Sequence, residues 1–488
     1  MGPDSNILSQ MRPFFNPRAI AVLGVSKDLW KFGSVIYGSI RNFAPQIPLY
    51  PVNSRISELM GEKVYPSISD LPEEVDLAVI CLPAPLVPEA VRECSAHGIS
   101  AVEVISGGFG ETGTAEGKRL QAELGSLAGP GLRIVGPNCF GVYSPAGGVT
   151  IIPGSGYPRI AGSVGFMAQS GALTDVFCKL SQDHGFYINQ AVSYGNACDI
   201  NEVDLAKYFL ADEKTRIAAA YIEGVRAGKS FFEAVQNLAA AKPTIIWKAG
   251  LSPGGAKAVA SHTGSLAGSE AVWTAFFKQT GAIQALSLED LSDTVSAFYH
   301  LPTTRDNRVV AICGAGGFAV AASDACYRAG LSLASFDEAT HAKLTSILPP
   351  ASSATNNPLD CVNPFPSPSM LRDILETVAS SGSTGSIIID KVTMSVPMRH
   401  ILGHSRMVRS EEEPWLEELP VRIRNQFNMP VLVVMRDGGD PSYDSERRRL
   451  SKYYHENGVA VYSTTQRAFD ALAKMIKYYK RKGQNNDR

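Results

Sequence analysis

No two cysteines in the chain are spaced as C-x-x-C. The eight are scattered through 488 residues, which indicates neither a disulfide framework nor a zinc site and suits reduced thiols in a cytoplasmic protein. Metal ligands are not expected on this chain. No apolar run reaches the ~18 residues that would cross a bilayer, and the N-terminal stretch lacks the apolar core of a signal peptide. Charge of either sign is not in excess: the net value is −2. The lone basic cluster, Lys474 to Lys482, reads as the solvated end of a helix, so neither nucleic acid nor membrane is expected as a partner. Histidine is scarce, at eight residues, which makes one of them in an unusual setting informative.

What is present is alternation. Apolar runs at 19–23, 48–52, 76–82, 101–105 and 132–135 read as strands, and the segments between them supply helices. DLAVICL (76–82) is almost unbroken in its apolar character, as parallel strands covered on both faces require. Turns rich in glycine follow the strands: GVSKD, CLPAP, SGGFGE and GPNCFG. In a doubly wound sheet such turns lie at the carboxyl ends, where ligands bind. Ordinary βα connections are the other reading of the same glycines. A nicotinamide dinucleotide is disfavoured. The G-x-G-x-x-G fingerprint is missing after the first strand, and Asn53 stands where an acid would hold a ribose diol.

Residues 144–161, rich in Gly and Pro, read as a crossing into a second α/β unit. That unit contains AQSGALTD, a strand end and helix start, and YIEG, a strand end carrying Glu223. KPTIIWKAG (242–250) then delivers the chain into a segment of small residues with His262 between Ser261 and Thr263. Read alone, that segment is a glycine-rich loop, suited either to an anion or to plain surface flexibility. A third unit partly repeats the second. GFMAQSGALTDV parallels AICGAGGFAVAA, and KPTIIWKAG parallels MPVLVVMRDG (429–438), as a weak internal repeat of a flavodoxin-like unit. Between them, 396–424 is less regular and reads as an insertion, a partner contact or a solvated charged face.

The order of GVSKD, SGGFGETG, GPNCFGV, AQSGALTD, YIEG, KPTIIWKAG, ASHTGSLAG and GAGGFAVAASDACYRAGL resembles the CoA-binding, alpha-type part of the NDP-forming acyl-CoA synthetases. These are enzymes of the succinyl-CoA synthetase superfamily that include ADP-forming acetyl-CoA synthetases. The resemblance spans about residues 13–480 and implies an α/β fold. A Rossmann-like CoA-binding domain (1–150) would be followed by two flavodoxin-like ligase domains (151–303 and 304–488). It further implies that His262 is transiently phosphorylated. No ATP-grasp region of ~200 residues is found beside the three units. The resemblance therefore places NTP or NDP, with Mg, on a separate ATP-grasp (beta) partner, in a hetero-oligomer or dimer.

The implied reaction interconverts a carboxylic acid, CoA and NTP with acyl-CoA, NDP and phosphate. A neutral imidazole is nucleophilic near pH 7 and passes a phosphoryl group on. Glu223 would orient it through its other ring nitrogen. The phosphoryl charge would be received by two helix starts, Ser170-Gly171 and Gly316-Gly317-Phe318. CoA would lie against Gly24, Ser26 and Lys27, Pro83, Gly107, Gly108 and Phe109, and Asn138 and Cys139. For Cys139 a packed thiol rather than a catalytic one is expected. The segment around His262 would swing between acyl and nucleotide sites. Two departures from the family pattern, CGAGG (313–317) and NNPLDCVNPF (356–365), bear on the acyl site. Two other readings stand beside this one. One is a CoA- or acyl-CoA-binding regulatory module without catalysis. The other is a nucleotide-dependent dehydrogenase, set back by the missing fingerprint.

Overall fold

A computed structural model describes residues 3–150, 154–263, 269–349, 356–362, 367–390 and 417–486, with the backbone alone at 3–5, 260–263 and 485–486. The chain divides into two compact units: Met1–Gln182 with Tyr187–Leu288, and Asp183–Phe186 with Glu289–Arg488.

The first unit opens with helix α1 (Pro3–Phe15) and strand β1 (Ile20–Leu23). It continues through α2 (Phe32–Phe43), β2 (Leu49–Val52), β3 (Leu77–Ile80), α3 (Val87–Ala96), β4 (Ala101–Val104), α4 (Ala115–Leu127) and β5 (Arg133–Val135). The strands form one parallel sheet in the order β2-β1-β3-β4-β5. Every residue of β1, β3 and β4 is buried, which is why these strands are uninterrupted apolar runs except for Glu103. The strand order reverses between β1 and β3, which opens a crevice at their carboxyl ends. Space there is minimal. Gly24 has φ +91°, and a Cβ on Gly33 would stand 2.5 Å from the Gly24 carbonyl oxygen.

A second sheet in the same unit comprises β6 (Gly141–Ser144), β7 (Val149–Thr150), β8 (Val164–Ala168), β9 (Ile188–Ser193), β10 (Ile217–Ile222), β11 (Thr244–Lys248) and β12 (Ile283–Ala285). Its order is β12-β11-β10-β8-β9-β6-β7, with β6 and β7 antiparallel and the other five parallel. Helices α5 (Gly171–Asp183), α6 (Glu202–Ala211), α7 (Gly228–Ala241), α8 (Pro253–Thr263) and α9 (Glu270–Thr280) connect them. Phe15 of α1 stacks on Tyr208 of α6 with ring centres 5.2 Å apart.

The segment expected as a loop around His262 is helical as far as Thr263. Pro253 sits at the first helical position, where its missing N–H costs nothing. The Ser252 hydroxyl accepts from Gly255 N at 3.1 Å, and the run AKAVASH that follows has good helix formers at its core. Residues 264–268 of the SHTGSLAG motif lie outside the described residues.

In the second unit α10 (Leu288–His300) leads into β13 (Arg308–Cys313), α11 (Gly316–Arg328), β14 (Ser332–Leu333), α12 (Glu338–Ile347), β15 (Leu359–Asp360), α13 (Pro368–Ser380) and β16 (Ser386–Asp390). Then come α14 (Leu419–Phe427), β17 (Val431–Val434), α15 (Pro441–Glu456), β18 (Ala460–Tyr462) and α16 (Thr465–Asn486). The parallel order is β14-β13-β16-β17-β18, with β15 also on β13. The sequence repeat falls on matching strands. With the two-residue β15 set aside, β8 and β13 are the first of their parallel sheets, β11 and β17 the fourth, and both sheets run 2-1-3-4-5. Of the irregular stretch 396–424, residues 396–416 lie outside the described residues.

Buried imidazoles pack this unit. His300 and His455 stack with ring centres 4.9 Å apart, and His300 Nε2 lies 3.1 Å from the His184 carbonyl oxygen. Burial, opposed by that hydrogen bond, pushes the His300 pKa down to about 4.

Two predictions follow from these contacts. Gly33→Ala is expected to lower stability by about 1–3 kcal/mol, because the methyl meets backbone; thermal unfolding checks it. For His300 the unfolded chain binds the proton more tightly, so its contribution is complete above about pH 6.5 and is lost as pH falls towards 4. That loss is about 3 kcal/mol. The unfolding midpoint should drop over that range, and less steeply in His300→Gln.

Candidate active site

The first unit holds a cleft of about 430 Å³ between the turns after β3, β4 and β5, the turn after β9 and the start of α5. Gly107, Asn138, Cys139, Ser170 and Gly171 line it. Thus residues expected to meet CoA and residues expected to meet phosphate share one cavity. Gly24, Ser26, Lys27, Pro83, Gly108 and Phe109 are not among its lining residues.

The start of α5 is built for an anion. Ser170 caps it, its hydroxyl accepting from Leu173 N at 3.3 Å. The N–H groups of the first turn have no acceptor within the helix, and the dipole adds positive potential. A Cβ on Gly171 would stand 2.6 Å from the Phe140 ring, so only glycine lets the helix begin this close to the cleft wall.

Several groups expected to meet CoA are already engaged. Gly108 N and Phe109 N both donate to Glu111 Oε1, at 2.5 and 3.1 Å. Ser26 N donates to the Ser34 hydroxyl at 2.9 Å, and the Ser26 hydroxyl accepts from Asp28 N at 3.2 Å. Gly24 serves the backbone packing described above, Pro83 and Lys27 are exposed. Cys139 is a packed thiol: it is buried, donates to the Val104 carbonyl at 3.4 Å, and is held protonated by burial.

The other oxygen of Glu111 accepts from Asn196 Nδ2 at 2.5 Å, and the same amide donates to Gln121 Oε1 at 2.9 Å. Asn196 belongs to the turn after β9, so this network joins the two sheets across the cleft. Neither Glu111 nor Asn196 stands out in sequence, although Glu111 lies inside SGGFGETG.

Glu223 follows β10 directly and is buried. Its backbone is held from both sides. Glu223 N and Gly224 N donate to Gln169 Oε1 at 2.5 and 2.9 Å, and Lys248 Nζ donates to the Glu223 carbonyl at 2.8 Å. Burial, then the charge of Glu223 and a hydrogen bond to it, push the Tyr221 phenol up. Gln169 also lines the cleft. It sits in AQSGALTD, the one sequence sign of its importance. His262 lies in the last turn of α8, and its side chain is outside the described residues.

In the second unit Gly316, Gly317 and Phe318 open α11. Phe318 N donates to the Ala315 carbonyl at 3.0 Å. Asp360 Oδ2 would be 3.1 Å from a Cβ on Gly316, so a carboxylate already approaches this helix start. Arg436 lies over the Phe318 ring at 4.1 Å and binds the buried Asp390 through both ends of its fork, with one contact of 2.6 Å.

Comparison with known proteins decides the family. Residues 18–145 match the family described as "CoA binding domain", and residues 161–298 match "Succinyl-CoA ligase like flavodoxin domain". The alpha subunit of acetate–CoA ligase [ADP-forming] I from Pyrococcus furiosus is 34% identical over 98% of this chain and 100% of its own length. The chain belongs to the family of ADP-forming acetate–CoA ligase alpha subunits. The alpha subunit of isoform II from the same organism is 39% identical over 72% of this chain and 75% of its own. The structure titled as dinucleotide forming acetyl-coenzyme A synthetase 1 of Ca. Korarchaeum cryptofilum, in complex with phosphate and ADP, superposes with a TM-score of 0.82. It is 29% identical and covers 98% of each chain. Among the described residues, no helix of this family member is long and apolar enough to cross a membrane.

Glu111→Gln tests the wall of the cleft. The substituted amide would set its own donors against those of Asn196 or the turn, at a cost of about 1–3 kcal/mol. The expected outcome is a lower unfolding midpoint and CoA binding at least threefold weaker by calorimetry.

Proposed function

We propose that this chain is the CoA-binding, phosphohistidine-carrying subunit of an NDP-forming acyl-CoA synthetase, with acetate as the first candidate acid. The observation that carries the reading is the shared cleft, where Gly107, Asn138 and Cys139 of the first sheet face Ser170 and Gly171 of the second. The α5 start offers free N–H groups to a phosphate or acyl phosphate. The adjoining turns would take the thiol arm of CoA.

In the synthetic direction His262 takes the phosphoryl group of NTP, and NDP leaves. The carboxylate of the acid then accepts the phosphoryl group, which restores the imidazole and gives an acyl phosphate. Transfer of the acyl group to the thiol of CoA releases phosphate and a proton. Glu223 holds the N–H of the imidazole so that the other nitrogen presents its lone pair. The helix starts of α5 and α11 receive the phosphoryl charge. Catalysis is then chiefly positioning and electrostatic stabilisation.

Domain limits of 1–150, 151–303 and 304–488 belong to the same reading. The nucleotide, with Mg, belongs on a separate ATP-grasp subunit. In support, acetate–CoA ligase [ADP-forming] II of Archaeoglobus fulgidus matches 98% of this chain over only 68% of its own length. A hetero-oligomer in the cytoplasm follows. All eight cysteines are free thiols.

The decisive test uses the purified chain with acetyl-CoA and inorganic phosphate, read by intact mass. Wild type should gain one acid-labile phosphoryl group and His262→Ala none. CoA binding without any label would favour a regulatory binding module instead.

A further inference from the structure

Lys248 has no assigned role, yet it is the buried cation nearest the strand end that carries Glu223. It is 4% exposed. Its ammonium donates to the carbonyls of Glu223, at 2.8 Å, and of Ala249, and lies 5.2 Å from the centre of the Trp273 ring on α9. Burying an ammonium is expensive, and an apolar residue of similar length would pack there at less cost. Its geometry supplies what such a residue lacks. The peptide N–H of Glu223 is gripped by Gln169 and its carbonyl by Lys248, so both flanks of one residue are fixed.

The other flavodoxin-like sheet also has an acid and a cation at the ends of neighbouring strands, Asp390 and Arg436, but there the guanidinium binds the carboxylate itself rather than a backbone carbonyl.

We propose that Lys248 is a positioning residue for phosphoryl transfer, its ammonium fixing the Glu223 strand end so that the carboxylate can orient the imidazole. The proposal rests on the reading of Glu223 given above. Around Lys248, Glu223 is the charged group that acts on it. Tyr221 bonds to Glu223, and Tyr194, fully buried, feels both Glu223 and Glu202. Burial, partly opposed by Glu223, brings the Lys248 pKa down to about 8. Below that pH the charge-assisted bonds are in place. Above it the ammonium is lost, and the remaining neutral donor holds a carbonyl about half as strongly.

The test measures the rate of acid-labile phosphoryl incorporation from inorganic phosphate and acetyl-CoA between pH 6 and 9.5. It compares wild type, Lys248→Met, Lys248→Arg and Glu223→Gln. Wild type should lose rate with a midpoint near pH 8. Lys248→Met should be at least tenfold slower below pH 7.5 and lack that limb, with the acetyl-CoA KM changed less than twofold. Lys248→Arg, charged throughout, should recover much of the rate and keep it to pH 9.5. A wild-type rate that stays level through pH 8, or a limb that persists unshifted in Lys248→Arg, overturns the proposal even where Lys248→Met does not fold. If Glu223→Gln is slow while Lys248→Met matches wild type, Lys248 alone is excluded. If Glu223→Gln runs at the wild-type rate, it is the reading of Glu223 that fails.

Discussion

One carboxylate holds the cleft together. Glu111 accepts from two backbone N–H groups of the turn after β4 and from the Asn196 amide after β9. Those two turns belong to different sheets. Without that carboxylate the two backbone N–H groups lose this acceptor, and the Asn196 amide keeps only Gln121. The first unit therefore sets a carboxylate of its own on a turn expected to meet CoA. The start of α5, on the other side of the cleft, keeps the N–H groups of its first turn without an acceptor in the helix.

The two flavodoxin-like sheets show what duplication preserves. Strand order and the glycine-led first helix are common to both. The surroundings differ. Lys248 lies against an indole, and burial lowers its pKa, whereas Arg436 is locked to Asp390 and packed on Phe318. An arginine stays charged at any pH a cell reaches.

The sheets were legible because parallel strands buried on both faces are largely unbroken apolar runs: LAVI and FMA need no context. The repeat was legible because small residues at a helix start survive divergence. Glu111 was not, since its partner Asn196 lies 85 residues away and nothing local distinguishes it from a solvated acid. The helix through His262 was hidden by glycine content: Gly254 and Gly255 sit in its first turn, where their cost is low, and the alanines that sustain it come later. Lys248 was visible as a residue but not as a contact, because its carbonyl partner belongs to the neighbouring strand's end.

The chain passes between its two units three times, after Gln182, after Phe186 and after Leu288. The middle excursion is four residues long. Within it the His184 carbonyl accepts from the Ser296 hydroxyl at 3.1 Å and lies equally close to His300 Nε2. A polypeptide ended at Leu288 would still contain 183–186, without the Ser296 and His300 groups that meet the His184 carbonyl.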